Sequence, residues 1–359
     1  MKHFRFSIFF TMVCLALSAY WGYTHGPAAG VETMLKAFGI TVILAVLEVS
    51  LSFDNAVVNA SVLRGWDHFW KMLFLTVGIL IAVFGMRLIF PVVIVAVTAD
   101  MGMLEVAKLA LNDPETYSER LMAHHAEISA FGGTFLLLVF LNFFFDDGKE
   151  THWFKWIEAR LASLASVPAM SVFLALIAML VMAANIDEAA RLAVVMAGIW
   201  GIVIYIGVQV LSHLLGGEPE IDENGNAVLH DSNGAATGVV KAGFGGFLYL
   251  EVLDASFSFD GVIGAFAITS DVVIIMLGLA IGAIFVRSMT IYLVEKGTLD
   301  AYIFLEHGAH YAIGALAFIM IASGTGLHVP EIVTGLIGVA FIVWAVIASI
   351  QYSKRQQTS

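Results

Sequence analysis

A single cysteine, Cys14, and a shortage of charge set the first limits on this chain of 359 residues. A lone thiol can form neither an internal disulfide nor a thiolate cluster, so soft metals lose their usual ligand and any metal must be held by oxygen or imidazole. Charged residues make up only 13% of the sequence against 60% hydrophobic, and mean hydropathy is +0.91. That balance excludes a soluble domain and predicts an all-α, polytopic membrane protein. Basic residues are the scarcer charge, 17 against 29 acidic ones, for a formal net charge of -12. No Lys/Arg-rich run could track a phosphate backbone, so nucleic acid is excluded as a partner. P-loops, Gly-rich dinucleotide turns and nucleophile–base arrangements are also missing, so no cofactor is expected and the chain does not read as an enzyme. Transport driven by ATP would need another subunit.

About ten membrane spans follow from the apolar stretches. Residues 1–34 hold a signal-anchor helix and an external loop, a cleavable signal peptide being the alternative for the helix. Residues 35–146 hold spans 2 to 4, with span 2 at 35–60, span 3 at 69–97 and span 4 at 127–145. Between spans 3 and 4, residues 100–126 read as an external loop with a short amphipathic helix. A charged connector (146–160) leads to central spans 5 and 6 in 147–215, joined by an Asp187-Glu188 turn that Arg191 is spaced to pair with. A polar Gly/Asn-rich linker, 216–240, divides the chain. Spans 7 to 9 occupy 241–325, and 326–359 hold the last span and a cytoplasmic tail. Apart from two intramembrane arginines, eleven of the remaining 15 Lys and Arg fall inside when both termini are cytoplasmic, and four fall outside. The expected location is the bacterial inner (plasma) membrane.

A short acidic stretch occurs twice within these spans. Glu48-Val-Ser-Leu-Ser52-Phe-Asp54-Asn55 returns as Asp254-Ala-Ser-Phe-Ser258-Phe-Asp260-Gly261, at a constant offset of 206 residues. Each carboxylate at the centre of a span costs roughly 2.5–3.5 kcal/mol on insertion scales, so four matched acids need a function or a set of partners. Spans 2 and 7 are five crossings apart and run in opposite directions, which predicts an internal inverted repeat meeting near the midplane. Arg87 in span 3 and Arg287 in span 8 then fall at mirror-related depths.

On a helix, Glu48, Ser52, Asn55 and Asn59 share one stripe, and Asp254, Ser258 and Gly261 share its counterpart with Glu251 nearby. Asp54 and Asp260 lie about 120° off those stripes on an ideal helix. Each therefore faces a different partner, the arginines being one choice, or its helix is unwound there. Gly261 and Gly264 favour a break in span 7; span 2 has no glycine to ease one. Carboxylate, hydroxyl and amide oxygens suit hard cations such as manganese, calcium or magnesium. The candidate metal residues are Glu48, Ser52, Asp54, Asn55, Asp254, Ser258 and Asp260. Arg87, Arg287 and Glu251 are candidates for gating or charge balance, and His124, His125 and His310 for capturing metal at an entrance. Phe143-Phe144-Phe145, Trp153 and Trp156 read as lipid-facing or interfacial packing.

The stretch Leu47-Glu-Val-Ser-Leu-Ser-Phe-Asp-Asn-Ala56, echoed in 250–266, resembles the acidic Asp-Asn signature of TerC-like integral membrane proteins, relatives of the LysE-type exporters. The chain is similar to a longer branch of that family. The resemblance implies manganese export, with Glu48, Asp54, Asn55, Asp254 and Asp260 as metal-site residues; Gly261 departs from the family's Asn. The expected function is a secondary transporter that exports a divalent cation, manganese, in exchange for protons. Its expected partners are the metal as substrate, the lipid bilayer, and a second copy or another membrane protein. The alternatives are a membrane assembly or stress-resistance scaffold without transport, or a membrane enzyme working through the histidine and acid clusters at span ends.

Overall fold

The computed structural model describes residues 3–25, 30–64, 66–78, 80–98, 101–145, 151–164, 167, 169–215, 243–297, 302–327 and 329–358. The linker at 216–240 lies outside them. The described chain is helical, with no strand.

The first half begins with α1 (Arg5–Thr24), α2 (Val31–Leu51), α3 (Phe53–Arg64) and α4 (His68–Leu73). Two π-helical segments, Phe74–Gly78 and Ile81–Ile89, carry α4 into α5 (Phe90–Thr98). Then come α6 (Met103–Asn112), α7 (Pro114–Met122), α8 (His125–Phe144), α9 (Lys155–Leu164), α10 (Met170–Ala184) and α11 (Glu188–Leu215). The second half holds α12 (Phe244–Ile268), α13 (Val272–Glu295), α14 (Leu305–Ser323) and α15 (Glu331–Thr358). Aspartates start several of these helices. Asp67 accepts the Trp70 amide at 2.9 Å, Asp113 accepts that of Thr116 at 3.3 Å, and Asp271 accepts those of Val273 and Ile274. Each occupies orphan donors of a first turn.

Among the described residues, eight helices are long and apolar enough to cross a membrane, consistent with an integral membrane protein. Two of the ten expected spans are not among them. Met170–Ala184 is only 15 residues, about 22 Å of helix against a hydrocarbon core of about 30 Å. Phe244–Ile268 has 25 residues but carries three acids, Glu251, Asp254 and Asp260.

Large apolar side chains such as Phe9, Met12, Leu192, Leu214 and Leu336 point outward, while small residues mediate helix contact. Gly133 of α8 lies against Ile321 of α14, and Gly278 of α13 lies against Leu44 of α2. This is membrane logic, since lipid solvates Leu and Phe while glycine lets backbones approach. The most enclosed spans are α8, α13 and α14; α1 and α2 lie nearer the edge. The pair α2–α3 packs on α13 and α15, with α3 also on α14, and α12 packs on the second π segment, α8 and α11.

Several local expectations change. Residues 103–122 form two helices whose buried Val106, Ala110, Tyr117 and Leu121 dock on the bundle, Tyr117 lying 5.8 Å from the Phe266 ring. Phe143, Phe144 and Phe145 are buried rather than lipid-facing, and of the two tryptophans only Trp156 is exposed. Part of the charged connector folds as α9, with Glu158 buried beneath it. Glu158 accepts the amides of Trp153 and Phe154 and the Tyr311 hydroxyl, all at 3.1 Å. Arg191 donates to the carbonyls of Ala183 at 3.0 Å and Ile186 at 3.3 Å, so it closes the end of α10 instead of pairing with the turn acids.

Candidate functional site

The site forms where span 2 breaks. The helix stops at Leu51 and restarts at Phe53, with Ser52 between them, whereas α12 runs unbroken through the second copy of the motif. The break thus falls in the copy without glycine. Side chains explain it: the Ser52 hydroxyl donates to Glu48 Oε1 at 3.1 Å, and the Asn55 amide donates to the Asp54 carboxylate at 3.0 Å. The Asn55 amide thus turns to a side chain, while Ser52 N still donates to the Glu48 carbonyl at 2.9 Å and Ala56 N to that of Ser52 at 3.2 Å. Gly261 serves space rather than bending, because a Cβ there would lie 2.6 Å from Glu48 Oε2.

Glu48 is 1% exposed, and its Oε1 also accepts Arg87 Nη2 from the second π segment. Arg87 Nη1 donates to the Ala82 carbonyl at 2.9 Å, which holds the guanidinium to its own segment. Gly282 of α13 leaves room for the Glu48 stem, and an added Cβ would overlap it. Across from this pair, Asp254 of α12 accepts Asn55 Nδ2 at 2.5 Å. Asn55, Asn59, Arg87, Asp254 and Arg287 line one small cleft with Phe74, Leu75, Gly78 and α13. Arg287 Nε donates to the Leu75 carbonyl at 2.5 Å, and Arg287 makes no ion pair among the described residues. Glu48, not an aspartate, takes the arginine.

Buried oxygens without donors mark this region. Asn55 Oδ1, Asn59 Oδ1, both carboxylate oxygens of Glu251 and Ser258 Oγ have no hydrogen-bond partner among the described residues. Glu251 packs against Gly78, beside the cleft. Orphaned buried acceptors are uncommon and costly, and hard cations satisfy them. No group of three His, Cys, Asp or Glu side chains able to hold a metal occurs among the described residues. The donor set is therefore mixed, carboxylate with amide, and a guanidinium occupies one of its carboxylates.

The remaining candidates lie elsewhere. Asp54, 4% exposed, lines a second cavity with Leu51, Phe257, Gly261, Ala312, Leu316, Thr334 and Gly338. The Asp260 side chain lies outside the described residues. His124 contacts Glu127 at 3.3 Å, and His125 contacts Ser129 and Ser323, at the start of α8. His310 instead stacks on Phe143 near the far end of α8, its ring centroid 3.5 Å away, with Nδ1 at 2.9 Å from the Glu306 carbonyl. The three histidines do not share one entrance. Gly78 and Gly282 were not singled out from the sequence, although Gly78 and Gly278 repeat at the offset of 200 that separates Arg87 from Arg287.

The family described as protein of unknown function (DUF475) matches residues 53–356, most of the chain. No curated protein and no solved structure matches it.

Proposed function

We propose that this chain, which belongs to the DUF475 family of proteins of unknown function, is a secondary transporter that exports a divalent metal cation, manganese. The observation that carries the reading is the set of donorless acceptors around one buried cleft, Asn55 Oδ1, Asn59 Oδ1 and the Glu251 carboxylate, beside Asp254 and the Arg87-paired Glu48. Such oxygens are hard ligands, which favours manganese, magnesium or calcium over copper or zinc. Manganese is chosen among them on the resemblance to TerC-like proteins.

In this reading the incoming cation displaces Arg87 from Glu48 and binds Glu48, Asp254 and the two asparagine carbonyls. Ser52, Ser258 and Asp260 complete or support its shell. When the cation leaves, Arg87 returns and neutralises Glu48. Counting α10 and α12 as crossings gives ten spans with both termini cytoplasmic. The inverted repeat is supported by packing: α12 meets the second π segment and α8 as α2–α3 meets α13 and α14.

The test is uptake into inside-out vesicles from manganese, calcium, magnesium and zinc, for wild type, Glu48→Gln and Asp254→Asn. Manganese accumulation that both variants lose supports the reading. Failure of folded, correctly oriented wild type to accumulate any ion would remove transport and leave the scaffold.

A further inference from the structure

Asp54 and Asn55 are neighbours in sequence, yet they serve different cavities. Asn55 lines the cleft with Asn59, Arg87 and Asp254, whereas Asp54 lines the cavity that includes α14 and α15. Only α3 and α12 contribute to both. Successive helical residues point about 100° apart, so one helix can present an amide to one cavity and a carboxylate to the next.

Two features make the second cavity a built site. Asp54 is 4% exposed, and the Asn55 backbone amide donates to its carboxylate at 3.0 Å. It makes no ion pair among the described residues. Thr334 is the second feature. Helical threonines in this chain return their hydroxyls to the carbonyl four residues back, as Thr41 does to Ala37, Thr134 to Ala130 and Thr290 to Val286. Thr334 is 8% exposed, and its hydroxyl makes no such bond among the described residues; the Pro330 carbonyl accepts the amides of Val333 and Thr334. Thr334 lines the cavity together with Asp54. Leu51, the last residue of α2, lies there too. A helix end leaves carbonyl oxygens without intrahelical partners, and interrupted membrane helices use such ends to coordinate ions. Gly338 lies close to the carboxylate: a Cβ there would stand 3.5 Å from Asp54 Oδ2, in van der Waals contact.

We infer that Asp54 and Thr334 form a second cation site, separate from the Glu48 and Asp254 cleft, which takes a monovalent cation of the sodium class. Asp54 is the one charged side chain among the described residues that line the cavity, so one positive charge balances it. A divalent ion would leave a net charge buried in an apolar cavity. As the site of the exchanged ion in the proposed export, this inference rests on that reading. It replaces the proton expected from the sequence with a bound ion, and it separates Asp54 from the metal ligands.

Radioactive sodium binding to the purified full chain tests the site without manganese, so it stands or falls apart from the export reading. Sodium should bind wild type and Glu48→Gln, and binding should fall about tenfold or more in Asp54→Asn and Thr334→Val, within the usual span of site couplings. Manganese binding, measured separately, should be lost in Glu48→Gln and kept within about twofold in Thr334→Val. Thr334→Val keeps the side-chain shape and the membrane charge, so it guards against misfolding of the Asp54 variant. Absence of saturable sodium binding in wild type overturns the proposal. So does a result in which Asp54→Asn loses manganese together with Glu48→Gln while Thr334→Val changes neither ion. A wild type that binds sodium but no manganese would overturn the export reading and leave this site standing.

Discussion

Replacing Arg87 by Gln removes the cation paired with Glu48, and the consequences can be worked from their geometry. Their side chains are 3% and 1% exposed. Removing one partner of a buried pair costs about 3–5 kcal/mol, because the other charge is left without compensation. Glu48 keeps the Ser52 hydroxyl at 3.1 Å, which places Arg87→Gln near the lower end, about 3 kcal/mol. Glu48→Gln leaves a guanidinium that still holds the Ala82 carbonyl at 2.9 Å, so its cost is similar. The double variant removes both charges and should cost less than the two singles together, with a coupling of about 2–3 kcal/mol.

Reversible unfolding in mixed micelles, followed by tryptophan fluorescence, measures the cycle. Manganese adds a second readout. With Arg87 gone, the cation is the natural partner of Glu48. At 100 times its Kd it should stabilise Arg87→Gln by about 2.7 kcal/mol. Glu48→Gln should gain little. Additive costs within about 0.5 kcal/mol would refute the pairing. Equal stabilisation of the two single variants by manganese would refute the competition between arginine and metal.

Gly282→Ala should destabilise the chain by about 1–3 kcal/mol, because the new methyl overlaps the Glu48 stem near its backbone and must push α2 from α13; chemical denaturation reads it, and a wild-type midpoint would refute the close approach. Asp113 predicts a pH effect. The Thr116 hydroxyl, followed by the Thr116 amide, holds the Asp113 carboxyl below its ordinary range. A depressed value means that its stabilisation of α7 is present above the unfolded-state pKa, near pH 4, and is lost as pH falls through the lower folded value. Hydrogen exchange of residues 114–117 should rise in that acid window, and Asp113→Ala should remove the pH dependence; an unchanged profile in the variant would assign it to another group.

Much of this architecture was legible because the relevant signals are local. Long apolar runs and a repeated acidic stretch are read one window at a time. Glu48, Asn55 and Asn59 belong to a stripe that 3.6-residue periodicity exposes, and they do lie near one another on one side of the broken helix. Periodicity also set Asp54 off that stripe, and the second cavity is where it goes.

Partner choice between distant segments could not be read that way. Glu48 and Arg87 are 39 residues apart, and Asn55 and Asp254 are 199 apart. Which acid takes the arginine depends on how α2, α12 and the π segment cross, and that crossing depends on glycines such as Gly282 that have no side chain to announce it. The break site was not legible either: the Asn55 backbone amide turns to the Asp54 carboxylate, while Gly261 spares space for a neighbour. By itself, then, the sequence determined that this protein is a membrane-embedded helical bundle with acids repeated in its spans, because hydrophobicity and helical period are properties of a segment. Tertiary structure alone decided which acids meet, which cavity each faces and which oxygens lack donors, because those depend on the packing of segments far apart in the chain.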